Sequence, residues 1–584
     1  MYKYRRIWRI FASPVVDVVL LIGSHSKRAA YGASHRRTPR RMALAIDGAN
    51  RAAYGASHRR TPQRMALAID GANSAAYGAS HRRAPHKPNP RIKPMPYLLA
   101  IDQGTTSTTV LIVDEKLHIC GSASQEFQQF YPKPEFVEHS PDTIWQSVLE
   151  AIGTAIARAR IDARQIVGIG IANQRETTIV WERKTGKPIY PAIVWQCRRT
   201  RAACEALKAA GVEPMIREKT GLLCDPYFSA TKIRWILDNC DAQNSAQEGN
   251  LCFGTVDSWL LWQLTQGESH ATDATNASRS LLMNLEATAW DDDLLALFRI
   301  PRVMMPQILD NRAVFGTTRG VPGLPDGIPI TGILGDQQAA LFGQCCFDQG
   351  AAKCTFGTGA FLLLNTGRKV VHSESGLIST VAWKIDGEVT YALEGSAFVA
   401  GAIVQWLRDG LQIIESSSEV ESLARSVDDC GGVVVVPALT GLGAPHWRSD
   451  AHGLICGLTR ASTQAHIARA ALMGICQQNT DLFDAMTADL GYGLTRVKVD
   501  GGACVNDLLM QMQSDLLGKE LIRPSVLQTT ALGAAMCAAL GAGIYDTKED
   551  VCKTYEIERR FAPAKTDDWR MTTRQQWKLA VGRA

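Results

Sequence analysis

Apolar residues fall along this chain in two rhythms, and the changes of rhythm mark where polar side chains are delivered. Short apolar blocks predict buried strands at 97–102, 110–114, 119–125, 166–172, 177–181, 433–438 and 497–500. Ile144, Val148, Ile152 and Ile156 keep helical spacing, with Asp142 as the expected cap. Helices are also expected from Pro226 onward and at 395–414, 464–486, 505–517 and 529–542, the last rich in small residues that suit close packing. The most informative change comes at 330–345: an apolar run suited to a strand, a turn at Gly335, then a helical segment headed by Asp336. A carboxylate there sits among the unpaired amides of a first helical turn, which favour its charged form.

Length and charge alter this picture at one end. With 584 residues the chain exceeds a single core, so two or three domains are expected. Residues 1–94 carry 19 basic and 3 acidic residues, leaving 44 basic and 54 acidic in the rest. The net charge of +6 therefore hides an acidic body, which gives no reason to expect nucleic acid as partner. The basic segment is a tandem repeat, Ala-Ala-Tyr31-Gly-Ala-Ser-His35 recurring at Tyr54 and Tyr77 with a period of 23. Each unit has too little apolar surface to stack, so 1–94 is expected to be a disordered extension or one outside the native protein, with 1–23 resembling a weak leader. No apolar run reaches the roughly eighteen residues that span a bilayer. Fifteen cysteines without a C-x-x-C pair read as buried thiols in a reducing cytosol.

Several turns carry chemistry. Asp102-Gln-Gly104-Thr105-Thr106-Ser107 lies between two strands, and such a Gly/Thr tip turns amides and hydroxyls toward one point, a nest for phosphate oxygens. Thr355-Phe-Gly357-Thr358-Gly359 repeats that plan roughly 250 residues later, which suggests two similar domains facing each other across a cleft. Neither turn is a Walker loop. Asp102 is placed to orient magnesium through water. Arg175-Glu176 ends a strand; guanidinium and carboxylate match the donors and acceptors of vicinal hydroxyls if the backbone turns there. Tyr227 precedes a helix, Trp195 ends an aliphatic strand, and Gly501-Gly502 bares backbone before a helix. Taken singly, each has a structural reading: an N-cap, a surface ion pair, a core aromatic, a plain turn.

Together these stretches resemble the FGGY carbohydrate kinases. Asp102-Gln-Gly-Thr-Thr, Asn173-Gln-Arg-Glu-Thr-Thr, Trp195-Gln-Cys-Arg-Arg-Thr, Asp225-Pro-Tyr-Phe, Gly335-Asp-Gln-Gln-Ala-Ala-Leu-Phe-Gly-Gln, Phe356-Gly-Thr-Gly and Val499-Asp-Gly-Gly-Ala occur in the family's order and spacing, over residues 95 to about 580. The resemblance implies an α/β, two-lobed actin-like ATPase (ribonuclease H-like) fold, with 95–345 as the substrate and phosphate side and 346–584 as the nucleotide side. It implies ATP-dependent phosphorylation of glycerol to sn-glycerol 3-phosphate, with Mg2+, in the cytoplasm, by a homo-oligomer. By the same resemblance Arg175, Glu176, Tyr227, Asp336 and Gln337 hold glycerol, with Trp195 and Phe361 against its carbons. Thr105, Thr106, Ser107, Thr358, Gly401, Gln405, Gly502 and Asn506 hold the nucleotide, and Asp336 is the base. Trp195 and Phe361 favour a small triol over a pentulose. The chain departs from the family at Thr109, where bacterial members usually carry Arg. Actin-like folds also serve ATP-driven binding modules, and that departure leaves the class open.

Overall fold

The computed structural model describes residues 96–448 and 450–584; the repeats and the leader-like segment lie outside them. Two sheets are built on one plan. In the first, strands β1 (Tyr97–Gln103), β2 (Ser107–Val113) and β3 (Ile119–Glu126) form an antiparallel meander. Helix α1 (Pro141–Ala159) returns the chain to β4 (Ile166–Asn173), parallel to β1, and β5 (Gly316–Thr317) and β6 (Pro329–Gly335) complete the order β5-β6-β4-β1-β2-β3. Helix α2 (Asp336–Gly343) follows β6 directly. The second sheet repeats the hairpin with β7 (Ala351–Phe356) and β8 (Ala360–Gly367), then adds β9 (Ile378–Ile385) and β10 (Glu388–Ala397). After α3 (Gly401–Asp409) and the long α4 (Gln464–Leu490), β11 (Arg496–Asp500) pairs parallel to β7 as β4 does to β1. Helix α5 (Asp507–Leu517), β12 (Leu521–Pro524), α6 (Thr529–Gly541) and β13 (Ile557–Phe561) close the order β9-β10-β8-β7-β11-β12-β13.

The parallel strands at the centre of the first sheet are apolar on both faces because helices cover both. Leu98 to Ile101 and Ile169 to Ala172 lack exposure, save that Gly170 stands where a side chain would strike the Ala534 carbonyl of α6, 2.2 Å from its Cβ. Gly343 and Gly533 make the same allowance where α2 crosses α6, with Cβ positions 2.1 and 1.9 Å from the facing carbonyls. The small-residue helix thus packs as expected. It comes from the chain's second half and lies on the first half's sheet, which ties the two together.

Local differences from the sequence reading have local causes. Ser140, not Asp142, caps α1. Strand 177–181 is Ile179–Glu182, because Glu176 takes a positive φ of 60° and delays it. The helix expected from Pro226 starts at Ser229. The one expected over 395–414 is β10 up to Ala397 and helix only from Gly401 to Asp409. Gly502–Val505 is a separate 3-10 turn before α5. In the last three cases a helical rhythm ran on through residues that strand pairing or a turn had claimed. All fifteen cysteines are free, and no helix among the described residues is long and apolar enough to cross a membrane.

Candidate active site

Asp336 is the first residue of α2, with Gly335 as N-cap. Its Oδ1 accepts the Gln337 amide at 2.7 Å and lies 3.1 Å from Arg175 Nε, an ion pair whose N–H is not aligned as a hydrogen bond. Its Oδ2 accepts no hydrogen bond among the described residues, and the side chain is 27% exposed. One oxygen is held and the other is available.

Around it the walls are ionic and dry. Arg175 gives Nη1 and Nη2 to the two oxygens of Glu394, at 2.6 and 3.0 Å, and Nη1 also reaches Gln338 at 3.1 Å. Arg279 binds Glu176 through Nε at 2.6 Å and Glu394 through Nη2 at 2.9 Å. All four charged side chains are buried. Burial alone would raise Glu394, but the two guanidiniums outweigh it and hold the acid at about 2. Burial pushes Glu176 up, against the pull of Arg175 and Arg279. The remaining Nη1 of Arg279 has no hydrogen-bond partner among the described residues; the guanidinium lies over the rings of Tyr227 and Phe228, 5.6 and 5.4 Å from their centroids. Removing one member of such a set leaves an uncompensated charge in a low dielectric, which is strongly destabilising.

The expected polyol residues are therefore together. The positive φ of Glu176 turns the chain so that Arg175 and Glu176 meet, with Nε 3.9 Å from Oε1, instead of pointing to opposite faces. The Tyr227 hydroxyl is 3.5 Å from Arg175 Nη2. The Trp195 ring meets Tyr227 edge-on at 5.5 Å and Phe361 at 6.4 Å, so the three aromatics form one apolar wall. Trp195 Nε1 donates to Thr105 Oγ1 at 2.9 Å, which joins that wall to the first Gly/Thr turn.

That turn closes by a Gly104 N–H to Ser107 carbonyl bond of 2.9 Å, and the amides of Thr105 and Thr106 have no backbone partner among the described residues. The second turn closes the same way, Gly357 to Gly359 at 2.9 Å, with the Thr358 carbonyl accepting from Ala400 and Ala402 at the head of α3. Gly401 is required there: a side chain would stand 2.7 Å from the Gly357 carbonyl. Gly501, at φ +87°, presses on the Phe356 carbonyl in the same way, so the double glycine borders the second turn. Gly502 faces open space, Asn506 caps α5, and Gln405 is exposed one turn into α3. No hydrogen bond among the described residues joins these three to the first turn.

Asp102, at the end of β1, is pushed up to about 7 by burial and by the negative charge of Asp336. Two carboxylates in mutual repulsion beside a phosphate-type turn suit a divalent cation. No cluster of three or more metal-ligating side chains exists among the described residues. That donor set fits Mg2+, which keeps water and substrate oxygens and takes one or two carboxylates. Arg279, Glu394 and Lys353 took no part in the sequence reading. Their signal is a charge inside an apolar strand or helix, as in Tyr391-Ala-Leu-Glu394 and Ala351-Ala-Lys353-Cys.

Family models match both halves: the N-terminal domain of the FGGY family of carbohydrate kinases over residues 97–343 and its C-terminal domain over 352–542. A glycerol kinase from Bdellovibrio bacteriovorus is 53% identical over 489 residues, 83% of this chain and 99% of that protein. One from Myxococcus xanthus is 52% identical over 491 residues, covering 84% and 99%. The crystal structure of Plasmodium falciparum glycerol kinase with ADP matches with a TM-score of 0.79 at 38% identity, covering 84% of this chain and 98% of that one. A xylulose kinase from Lactobacillus acidophilus, 21% identical with a TM-score of 0.74 over 84% and 98%, shares the fold. Two Gly/Thr turns built alike, a carboxylate with one oxygen free of hydrogen bonds among the described residues, and these likenesses agree: the chain belongs to the FGGY family of carbohydrate kinases.

Proposed function

We propose that this chain transfers the terminal phosphoryl group of ATP to glycerol, giving sn-glycerol 3-phosphate, the entry step of glycerol catabolism. The observation that carries the reading is Asp336, partly exposed, with one oxygen held by Gln337 and Arg175 and the other without a hydrogen bond among the described residues. The name glycerol kinase, borne by relatives identical at half their positions, supports glycerol as acceptor.

In this reading 95–345 is the substrate and phosphate side and 346–584 the nucleotide side. Arg175, Glu176, Tyr227 and Gln337 bind the hydroxyls, while Trp195 and Phe361 cover the carbons and favour a small triol. Asp336 Oδ2 takes the proton of the attacking hydroxyl, a contribution of roughly 10²–10⁴-fold. Thr105, Thr106, Ser107 and Thr358 receive phosphate oxygens, and Gly401, Gln405, Gly502 and Asn506 line the nucleoside end. Asp102 would hold Mg2+ through water, and the ion would supply charge neutralisation on the phosphates. Positioning and electrostatics suffice for this chemistry because the transferred group forms few new bonds until late. ATP as co-substrate and fifteen free thiols support a cytoplasmic setting.

An ADP-coupled assay with glycerol, with a pentulose and without acceptor tests the reading. Turnover with glycerol alone is expected. Faster turnover with the pentulose overturns the acceptor, and acceptor-independent ATP hydrolysis points to an ATP-driven binding module instead.

A further inference from the structure

Helix α2, which begins with Asp336, rests on a polar stripe of the second sheet and is pinned at both ends. Parallel pairing of β7 with β11 sets Lys353 beside Lys498 and Thr355 beside Asp500, and the two-residue period puts all four on the face toward α2. At the rear, Gln344 Nε2 donates to Asp500 Oδ2 at 3.0 Å, and Lys498 Nζ donates to the Gln344 carbonyl. At the front, Lys353 Nζ donates to Gln337 Oε1, and to Thr355 Oγ1 at 2.8 Å. Lys353 is fully buried; burial lowers its pKa from the ordinary lysine value, and the neighbouring acids Asp500 and Asp336 oppose that fall and favour the charged form.

The chemistry of that front contact has a direction. An ammonium has only donors, so the amide atom facing it must be the carbonyl oxygen. The amide nitrogen of Gln337 is then turned the other way. Gln337 is partly exposed and its Nε2 donates to nothing among the described residues. A hydroxyl arriving in the cleft meets a donor from Gln337 and an acceptor from Asp336 Oδ2. It can satisfy both only by accepting from the amide and pointing its own proton at the carboxylate.

We propose that Lys353 is a positioning residue: by fixing the orientation of the Gln337 amide it sets the direction of the acceptor hydroxyl's proton toward Asp336. This rests on the glycerol-phosphorylation reading. Without the ammonium the amide is free to rotate, and its carbonyl oxygen then competes with Asp336 for the hydroxyl proton.

The test is a double-mutant cycle on Lys353→Met and Gln337→Ala, read as kcat and KM for glycerol and for MgATP. Each single variant is expected to lose about 10–100-fold in kcat/KM for glycerol, the range for one charge-assisted hydrogen bond, with KM for MgATP within about twofold of wild type. The double variant is expected to be no worse than the worse single, because Lys353 acts through Gln337. Losses that multiply, or a MgATP KM that rises as far as the glycerol KM, overturn the inference. Should Lys353→Met fail to fold, Gln337→Glu decides: it keeps the buried lysine paired but offers no donor, so glycerol turnover must fall, and unchanged kcat/KM overturns the inference. Wild type inactive on glycerol would overturn the underlying reading, and this inference with it; multiplying losses in an active wild type overturn this inference alone.

Discussion

The proposed polyol and nucleotide ends of the site are built by opposite means. At the polyol end Arg175, Glu176, Arg279 and Glu394 are buried and fixed by hydrogen bonds of 2.6 to 3.0 Å before any ligand arrives. At the nucleotide end the groups are backbone amides and small side chains, with Thr106, Thr358 and Gly502 exposed. A small, neutral polyol supplies little binding energy, so its site has to be ordered in advance. A nucleotide brings several charges and can order a turn on arrival. Rigidity is therefore concentrated where the ligand is weak.

This contrast can be broken first by Glu394→Ala, which leaves two buried guanidiniums without their shared acid. A loss of about 3–5 kcal/mol in unfolding free energy is expected by denaturant titration, and a loss below about 1 kcal/mol would show that the polyol end is not pre-ordered by charge. Acid probes the same carboxylate. Because the Glu394 acid is held at about 2 in the fold, against 4.5 ordinarily, its stabilising share is present above 4.5 and lost as pH falls from 4.5 toward 2. Glu176, raised by burial, softens that fall. Urea midpoints between pH 5 and 3 should drop in wild type and drop less in Glu394→Gln; equal slopes would remove Glu394 from the account.

At the other end, adjacent glycines separate folding from binding. Gly501→Ala, at φ +87° and 2.5 Å from the Phe356 carbonyl, is expected to cost about 1–3 kcal/mol of stability. Gly502→Ala meets nothing within 4 Å and should stay within about 0.5 kcal/mol while raising KM for ATP. A Gly502 variant with unchanged KM would remove that residue from the nucleotide site. The smallest effect is expected at Thr109, paired with Asp102 across the β1–β2 hairpin. Thr109→Arg places a cation beside that carboxylate and should lower KM for MgATP by roughly 2–5-fold, the scale of a partly exposed ion pair. No change would show that the arginine common in relatives has no task here.

The same contrast governs what could be read from the chain. The nucleotide end is local: each Gly/Thr turn closes within four residues, so the sequence displays both, and the repeated strand–turn–strand plan announced two similar halves. The polyol end is not local. Arg175 is set by Glu394, 219 positions away, and Asp336 is braced by Arg175. Such partners are invisible to periodicity, which registers Glu394 and Lys353 only as charges out of place in apolar strands. Helix boundaries failed for a related reason: the residues before Gly401 satisfy helical spacing, yet pairing of β10 with β8 uses their backbone hydrogen bonds first.

The central claim is that the free oxygen of Asp336 receives the acceptor's proton. Asp336→Asn keeps the shape and the contact to the Gln337 amide while removing the base. Single-turnover measurement under saturating MgATP and glycerol, with glycerol affinity from equilibrium titration, should show binding within a few-fold of wild type and phosphoryl transfer slowed by roughly 10²–10⁴. Transfer at the wild-type rate would contradict the account.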